Sequence, residues 1–151
     1  MTSEFDWVAD AMNKTVPWVS TAGIEFSELE RQRVVCSLRD VAEQRNHVGG
    51  PHAAVMFGLA ETASGAVTLA AFTPLLDRAT PLVTRSEIAY RKLALGDLTA
   101  EAVLGREIDE VRAELDGGTR PEFPVHCTIR DDEHNTTGEM TVYWTLRPND
   151  S

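Results

Sequence analysis

The sequence is poor in cysteine and in positive charge, and both shortages exclude functions. Two cysteines, Cys36 and Cys127, are too few for a disulfide framework and lack the clustered partners of a zinc site. Fourteen lysines and arginines stand against 24 aspartates and glutamates, a formal charge of −10. No general basic field exists to attract nucleic acid or an anionic lipid surface. With ten glycines and seven prolines, the chain is neither collagen-like nor of low complexity. The segment Met1-Thr-Ser-Glu-Phe-Asp-Trp7 has no basic or apolar region of the signal-peptide kind, so the expected location is cytoplasmic. No repeat, linker or shift in composition divides the 151 residues. They read as one domain, 1–151, with residues 1–16 an appended N-terminal helix, long enough to bury roughly two thirds of the unfolded surface.

What the sequence does have is a long uncharged stretch. From Ala53 to Leu76 the only charged side chain is Glu61. That length could cross a bilayer, but twelve of the twenty residues in 53–72 are Ala, Gly, Ser or Thr. The segment is therefore only weakly hydrophobic, and a central carboxylate adds an insertion cost on the order of 3 kcal/mol. A helix of small residues with no charged face is one enclosed by protein. The expectation is a buried helix over 52–71, with no membrane partner.

Around it the pattern has a period of two. Ser3 as N-cap and the spacing of Phe5, Val8, Ala9 and Met12 predict a short helix that stops before Pro17. Strands are expected at 22–28, 32–39, 82–92, 98–106, 123–130 and 139–147, with a short helix or excursion between Ile108 and Leu115. Several antiparallel strands and one uncharged helix require a sheet that curves around that helix, an α+β architecture. Any face of the helix that the sheet leaves open needs a second subunit, so a homo-oligomer is expected.

One constellation carries chemistry: Asn46, His52 and Glu61, with His47 in the same loop. A carboxylate among Ala, Val, Leu and Phe must pair, titrate upward or face a cleft. His52 precedes Glu61 by nine residues, about 13 Å along a helix, so the two are not partners within one chain. Either strand neighbours satisfy Glu61 or the helix end of a second subunit does. On residue physics alone, Glu61 can equally be a structural interface residue, and His52 a helix cap.

The run His52-Ala-Ala-Val-Met-Phe-Gly-Leu-Ala-Glu61-Thr62 resembles the His-Gly-Gly…Leu-Ala-Glu-Thr signature of hotdog-fold acyl-CoA thioesterases of the phenylacetate-degradation and 4-hydroxybenzoyl-CoA type. Asn46 falls where that family carries Asn or Gln, and Ala89-Tyr-Arg-Lys-Leu-Ala-Leu-Gly-Asp97 is similar to its strand and Gly-Asp turn. The resemblance covers roughly residues 20–147. It implies a hotdog fold, an antiparallel sheet wrapped around a long central helix, and hydrolysis of acyl thioesters at a subunit interface. Ala53 and Ala54 stand where the family has glycine, and Gly65 where it often has a hydroxyl.

The resemblance further implies that Glu61 acts as general base or nucleophile and the Ala53 N–H as oxyanion donor. Asn46 would orient water or the carbonyl, and His52 would bond to the thioester or position Glu61. Candidate substrate-binding residues are His47, Gly50, Phe57, Ser64, Tyr90, Arg91 and Lys92. No metal and no cofactor are expected, coenzyme A entering only as part of the substrate. Two alternatives stand beside this reading. One is a non-catalytic acyl-CoA-binding protein; the other is a dehydratase, since His47 lies fourteen residues before Glu61.

Overall fold

The computed structural model describes residues 3–150. Helices α1 (Asp6–Thr15) and α2 (Pro17–Ala22) precede strands β1 (Glu25–Leu29) and β2 (Arg33–Leu38). The long helix α3 (Ala53–Ala71) follows, then β3 (Ala79–Tyr90), β4 (Leu98–Leu104), α4 (Ile108–Asp116), β5 (Glu122–Arg130) and β6 (Thr136–Pro148). The six strands form one antiparallel sheet in the order β1-β2-β4-β5-β6-β3. α3 meets all six strands. This is the hotdog architecture expected from the sequence.

Strand alternation builds the concave face. Val34, Cys36 and Leu38 of β2, Leu98, Ala100, Ala102 and Leu104 of β4, and Phe123, Val125, Cys127 and Ile129 of β5 are buried. Cys36 pairs with Ala100, and Ala100 with Ile129, so small residues of β4 occupy the middle of the face. Their short side chains let the small-residue helix lie close. From Leu59 to Ala71 every residue of α3 but Glu61 and Leu69 is buried. Burial of Leu59 or Val67 contributes roughly 1.5–3 kcal/mol each, and the Phe72 and Phe123 rings meet at 4.8 Å.

The differences from sequence expectation lie at element ends and in an added helix, α2, which takes in Ala22, expected to open the first strand. α1 begins at Asp6 rather than Ser3. The Ser3 hydroxyl accepts the Phe5 N–H at 3.1 Å and the Asp6 carboxylate accepts the Ser3 N–H at 3.0 Å, which caps a turn ahead of the helix. Pro17, read as a stop, is the first residue of α2, where its fixed φ suits a helix start and its missing N–H costs nothing. β3 begins at Ala79 and ends at Tyr90, so Arg91 and Lys92 lie just beyond it.

The two sheet edges differ. β1 is five residues long, while β3 offers twelve, with Val83, Thr84, Arg85, Glu87 and Tyr90 exposed. A long edge of unpaired N–H and C=O groups is a template for another strand.

Candidate active site

A locked loop leads into α3. The Asn46 Oδ1 accepts the N–H groups of Val48 at 3.0 Å and Gly50 at 3.1 Å, and the Asn46 N–H donates to the Gly50 carbonyl at 2.7 Å. Gly49 has φ +81, a backbone state that favours glycine. Gly50 is buried, and a Cβ there would collide with the Ala94 carbonyl oxygen. Gly50 therefore serves close approach of the 90–96 segment. His47 is exposed on this loop and lines neither of the cavities described below.

His52 caps the helix: its Nδ1 accepts the Ala54 N–H at 2.9 Å. In the neutral ring this places the proton on Nε2, leaving one outward donor. The next donor, the Ala53 N–H, is the first of the helix and has no protein acceptor among the described residues. Such an unsatisfied N–H at the positive end of the helix dipole suits a developing oxyanion. The Tyr90 hydroxyl donates to the Ala53 carbonyl at 3.2 Å, tying the end of β3 to the start of α3. Here a cleft of about 400 Å³ brings together Asn46, Ala53, Met56, Tyr90, Arg91 and Lys92.

Glu61 lies elsewhere. Eight residues beyond Ala53, it is about 12 Å along the helix. It faces a second groove of about 390 Å³ lined by Trp18, Phe57, Gly58, Glu61, Val83 and Ser86. Among the described residues its carboxylate has no hydrogen-bond or ion-pair partner, and burial raises its pKa above the ordinary 4.5. The Cys127 thiol, which contacts the Ala60 carbonyl at 3.5 Å, is pushed up to about 12 by burial and then by the Glu61 charge. Ser64, expected in the substrate site, is fully buried. Its hydroxyl donates to the Glu61 backbone carbonyl at 2.7 Å and accepts the Trp144 Nε1–H at 3.0 Å.

The raised pKa has a stability consequence of definite sign. Glu61 binds its proton more tightly folded than unfolded, so its contribution is full below about pH 4.5 and is lost as pH rises through the raised folded value. Glu61→Gln removes this dependence. The Tm of the variant minus that of the parent is expected to grow between about pH 4 and about pH 8; a flat difference shows Glu61 to be compensated when charged.

The structure thus brings Asn46, Ala53, Tyr90, Arg91 and Lys92 together at one end of α3, and Phe57 and Glu61 at a separate groove. Trp18, Val83 and Ser86 were not singled out from sequence. The available signal for Trp18 was Gly58, a glycine inside a helix, where it costs about 1 kcal/mol relative to alanine unless something occupies its space.

Residues 6–146 match the family model described as "Domain of unknown function (DUF4442)". No curated protein matches the sequence. Among solved structures, a protein of Pseudomonas aeruginosa described as a probable thioesterase superposes with a TM-score of 0.85 at 25% identity, over 99% of each chain. The PaaI protein of the E. coli phenylacetic acid degradation operon gives a TM-score of 0.75 at 16% identity, over 96% of this chain and 95% of that one. A hypothetical thioesterase protein with coenzyme A from Streptococcus pneumoniae gives 0.71 at 18%, over 93% and 99%.

Proposed function

We propose, from the premise that this chain belongs to the DUF4442 family and to the hotdog-fold thioesterase-like superfamily, that it hydrolyses acyl-coenzyme A or related acyl thioesters at the interface of a homodimer. The observation that carries the proposal is Glu61, a half-buried carboxylate with no partner among the described residues, at the wall of an apolar groove. A buried charge left unpaired is costly, and a carboxylate with a raised pKa is a fitting general base. Similarity to thioesterase-family structures supports the reaction class, and the coenzyme A in the pneumococcal structure supports the leaving group.

The reaction needs donors for the carbonyl oxygen as well as a base. Those donors, the Ala53 N–H and the Asn46 Nδ2 and His52 Nε2 protons, stand too far along α3 to meet Glu61 of the same chain. A second copy supplies them. Antiparallel pairing of β3 with its own copy brings the Tyr90 end of one strand toward the Val83 end of the other. Tyr90 holds Ala53 and Val83 borders the Glu61 groove, so each site takes its base from one subunit and its oxyanion donors from the other. This pairing also covers the open edge of β3.

In the proposed step, Glu61 takes a proton from water as its oxygen attacks the thioester carbon. The Ala53 N–H stabilises the resulting oxyanion in place of the lost carbonyl character. Collapse breaks the C–S bond, and the proton held by Glu61 passes to the departing thiolate. Arg91, which also pairs with Glu139 at 3.5 Å, and Lys92 line the donor cleft, and this supports a role in binding coenzyme A phosphates. The dehydratase alternative has less support, because His47 lines neither cavity.

Thiol release from a panel of acyl-coenzyme A substrates tests the activity, and sedimentation tests the assembly. Turnover and a particle of twice 16.6 kDa or larger are expected. A monomer at micromolar concentration that still turns over substrate would refute the shared site, and a dimer that binds thioesters without hydrolysing them would make the protein a binder.

A further inference from the structure

The appended N-terminal helices enter the Glu61 groove through one side chain. In α2 the buried residues are Val19 and Ala22, which anchor the helix, while Trp18 is 42% exposed. Its indole lies against α3 at Gly58, where any Cβ would overlap the ring. Its Nε1–H has no acceptor among the described residues, so the ring contributes shape and apolar surface rather than a hydrogen bond. Around the α3 axis, Phe57, Glu61 and Gly58 follow at roughly 0°, 40° and 100°. Glu61 therefore stands between the Phe57 ring and the Trp18 indole that covers Gly58.

The groove has Trp18, Phe57 and Val83 as apolar walls, and among the described residues Glu61 is its only charged lining residue. Among the described residues that line the groove none is a cation, so along this wall Glu61 repels an acyl group ending in a carboxylate. A neutral apolar chain, in contrast, removes exposed surface of all three walls from water. We infer that Trp18 is a specificity-determining wall of the acyl pocket, limiting the length of neutral apolar acyl groups that a groove of about 390 Å³ accepts. This rests on the thioesterase reading and adds to it the substrate class and the residue that sets its limit. Gly58 is the counterpart that makes room for the indole.

The test measures kcat/KM for acetyl-, hexanoyl-, dodecanoyl- and glutaryl-coenzyme A in the parent, Trp18→Ala, Trp18→Phe, Gly58→Ala and the Trp18→Ala/Gly58→Ala double variant. Equilibrium binding of the same thioesters and oligomer mass are measured alongside. Trp18→Ala is expected to raise the dodecanoyl-to-hexanoyl ratio by about tenfold or more, with Trp18→Phe between it and the parent. Glutaryl should remain the poorest six-atom-scale substrate throughout, because Glu61 is still there. Gly58→Ala alone should alter the ratio by displacing the indole, but add nothing once the indole is gone. If the parent hydrolyses these thioesters and both Trp18 variants keep its ratio within about threefold, a margin below the size discrimination expected of a pocket wall, the inference falls and the thioesterase reading stands. If the parent neither binds nor hydrolyses any of them, both fall. Dissociation of the Trp18 variants to monomers would assign the indole to a second copy and overturn the inference.

Discussion

Glu61→Gln is expected to lower kcat/KM for acyl-thioester hydrolysis by two to four powers of ten, about 3–5 kcal/mol of transition-state stabilisation, while the protein stays folded and assembled. Glutamine keeps the length and much of the hydrogen-bonding capacity of the side chain but cannot accept the proton of an attacking water. Folding should not suffer, because the Glu61 carboxylate has no protein partner to lose among the described residues and burial already disfavours its charge. The backbone carbonyl of residue 61 keeps its bond from Ser64 in either case. A structural interface role makes the opposite pair of outcomes: a dissociated or less stable variant with catalysis lost only in proportion. Thiol release, thermal unfolding and oligomer mass, measured on the same preparation, separate the two. A folded dimer that retains turnover within about threefold, far below a general-base effect, would remove Glu61 from the chemistry.

Ala53→Pro is expected to reduce kcat by two to three powers of ten, about 2.7–4 kcal/mol, the usual loss for one oxyanion donor. The substitution deletes one N–H and little else. Position 53 is the first of α3, where proline is well tolerated. The preceding His52 has φ −62 and ψ 144, the extended conformation that a following proline favours. Unchanged circular dichroism and melting temperature should accompany the loss. Because the proposed site joins Glu61 of one chain to Ala53 of another, equal mixtures of Ala53→Pro and Glu61→Gln proteins, unfolded and refolded together, should regain activity. Half of randomly paired dimers are mixed and each mixed dimer has one intact site, so roughly a quarter of parental activity is expected under two-fold symmetry. A mixture no more active than its parts, with mixed dimers shown to form, would place base and oxyanion donor in one chain.

Some of these features depend only on neighbours along the chain, and they were legible. The single charge in Ala53–Leu76 and the small side chains within it made α3 and its enclosure readable, since a helix without a charged face is enclosed by protein. Strand alternation from Val34 to Leu38 and from Leu98 to Leu104 gave the inward faces. The isolation of Glu61 and its separation from His52 followed from the rise per residue of a helix. Pro17 misled because proline both ends one helix and starts another, and local pattern does not say which.

By itself, then, the sequence determined the central helix, the faces of the strands around it and the solitary carboxylate on it, all through periodicity and composition. The tertiary structure alone decided which distant surfaces meet. It set Trp18 on Gly58, forty residues away, and pressed the 90–96 segment against Gly50. It also turned the Ser64 hydroxyl to Trp144 rather than to the groove. These contacts bring together residues far apart in the chain, and they follow from how sheet, helix and appended α2 close-pack as solids. A glycine or a serine has the same local propensity whether an indole, a carbonyl or water lies opposite, so its role is written in the packing.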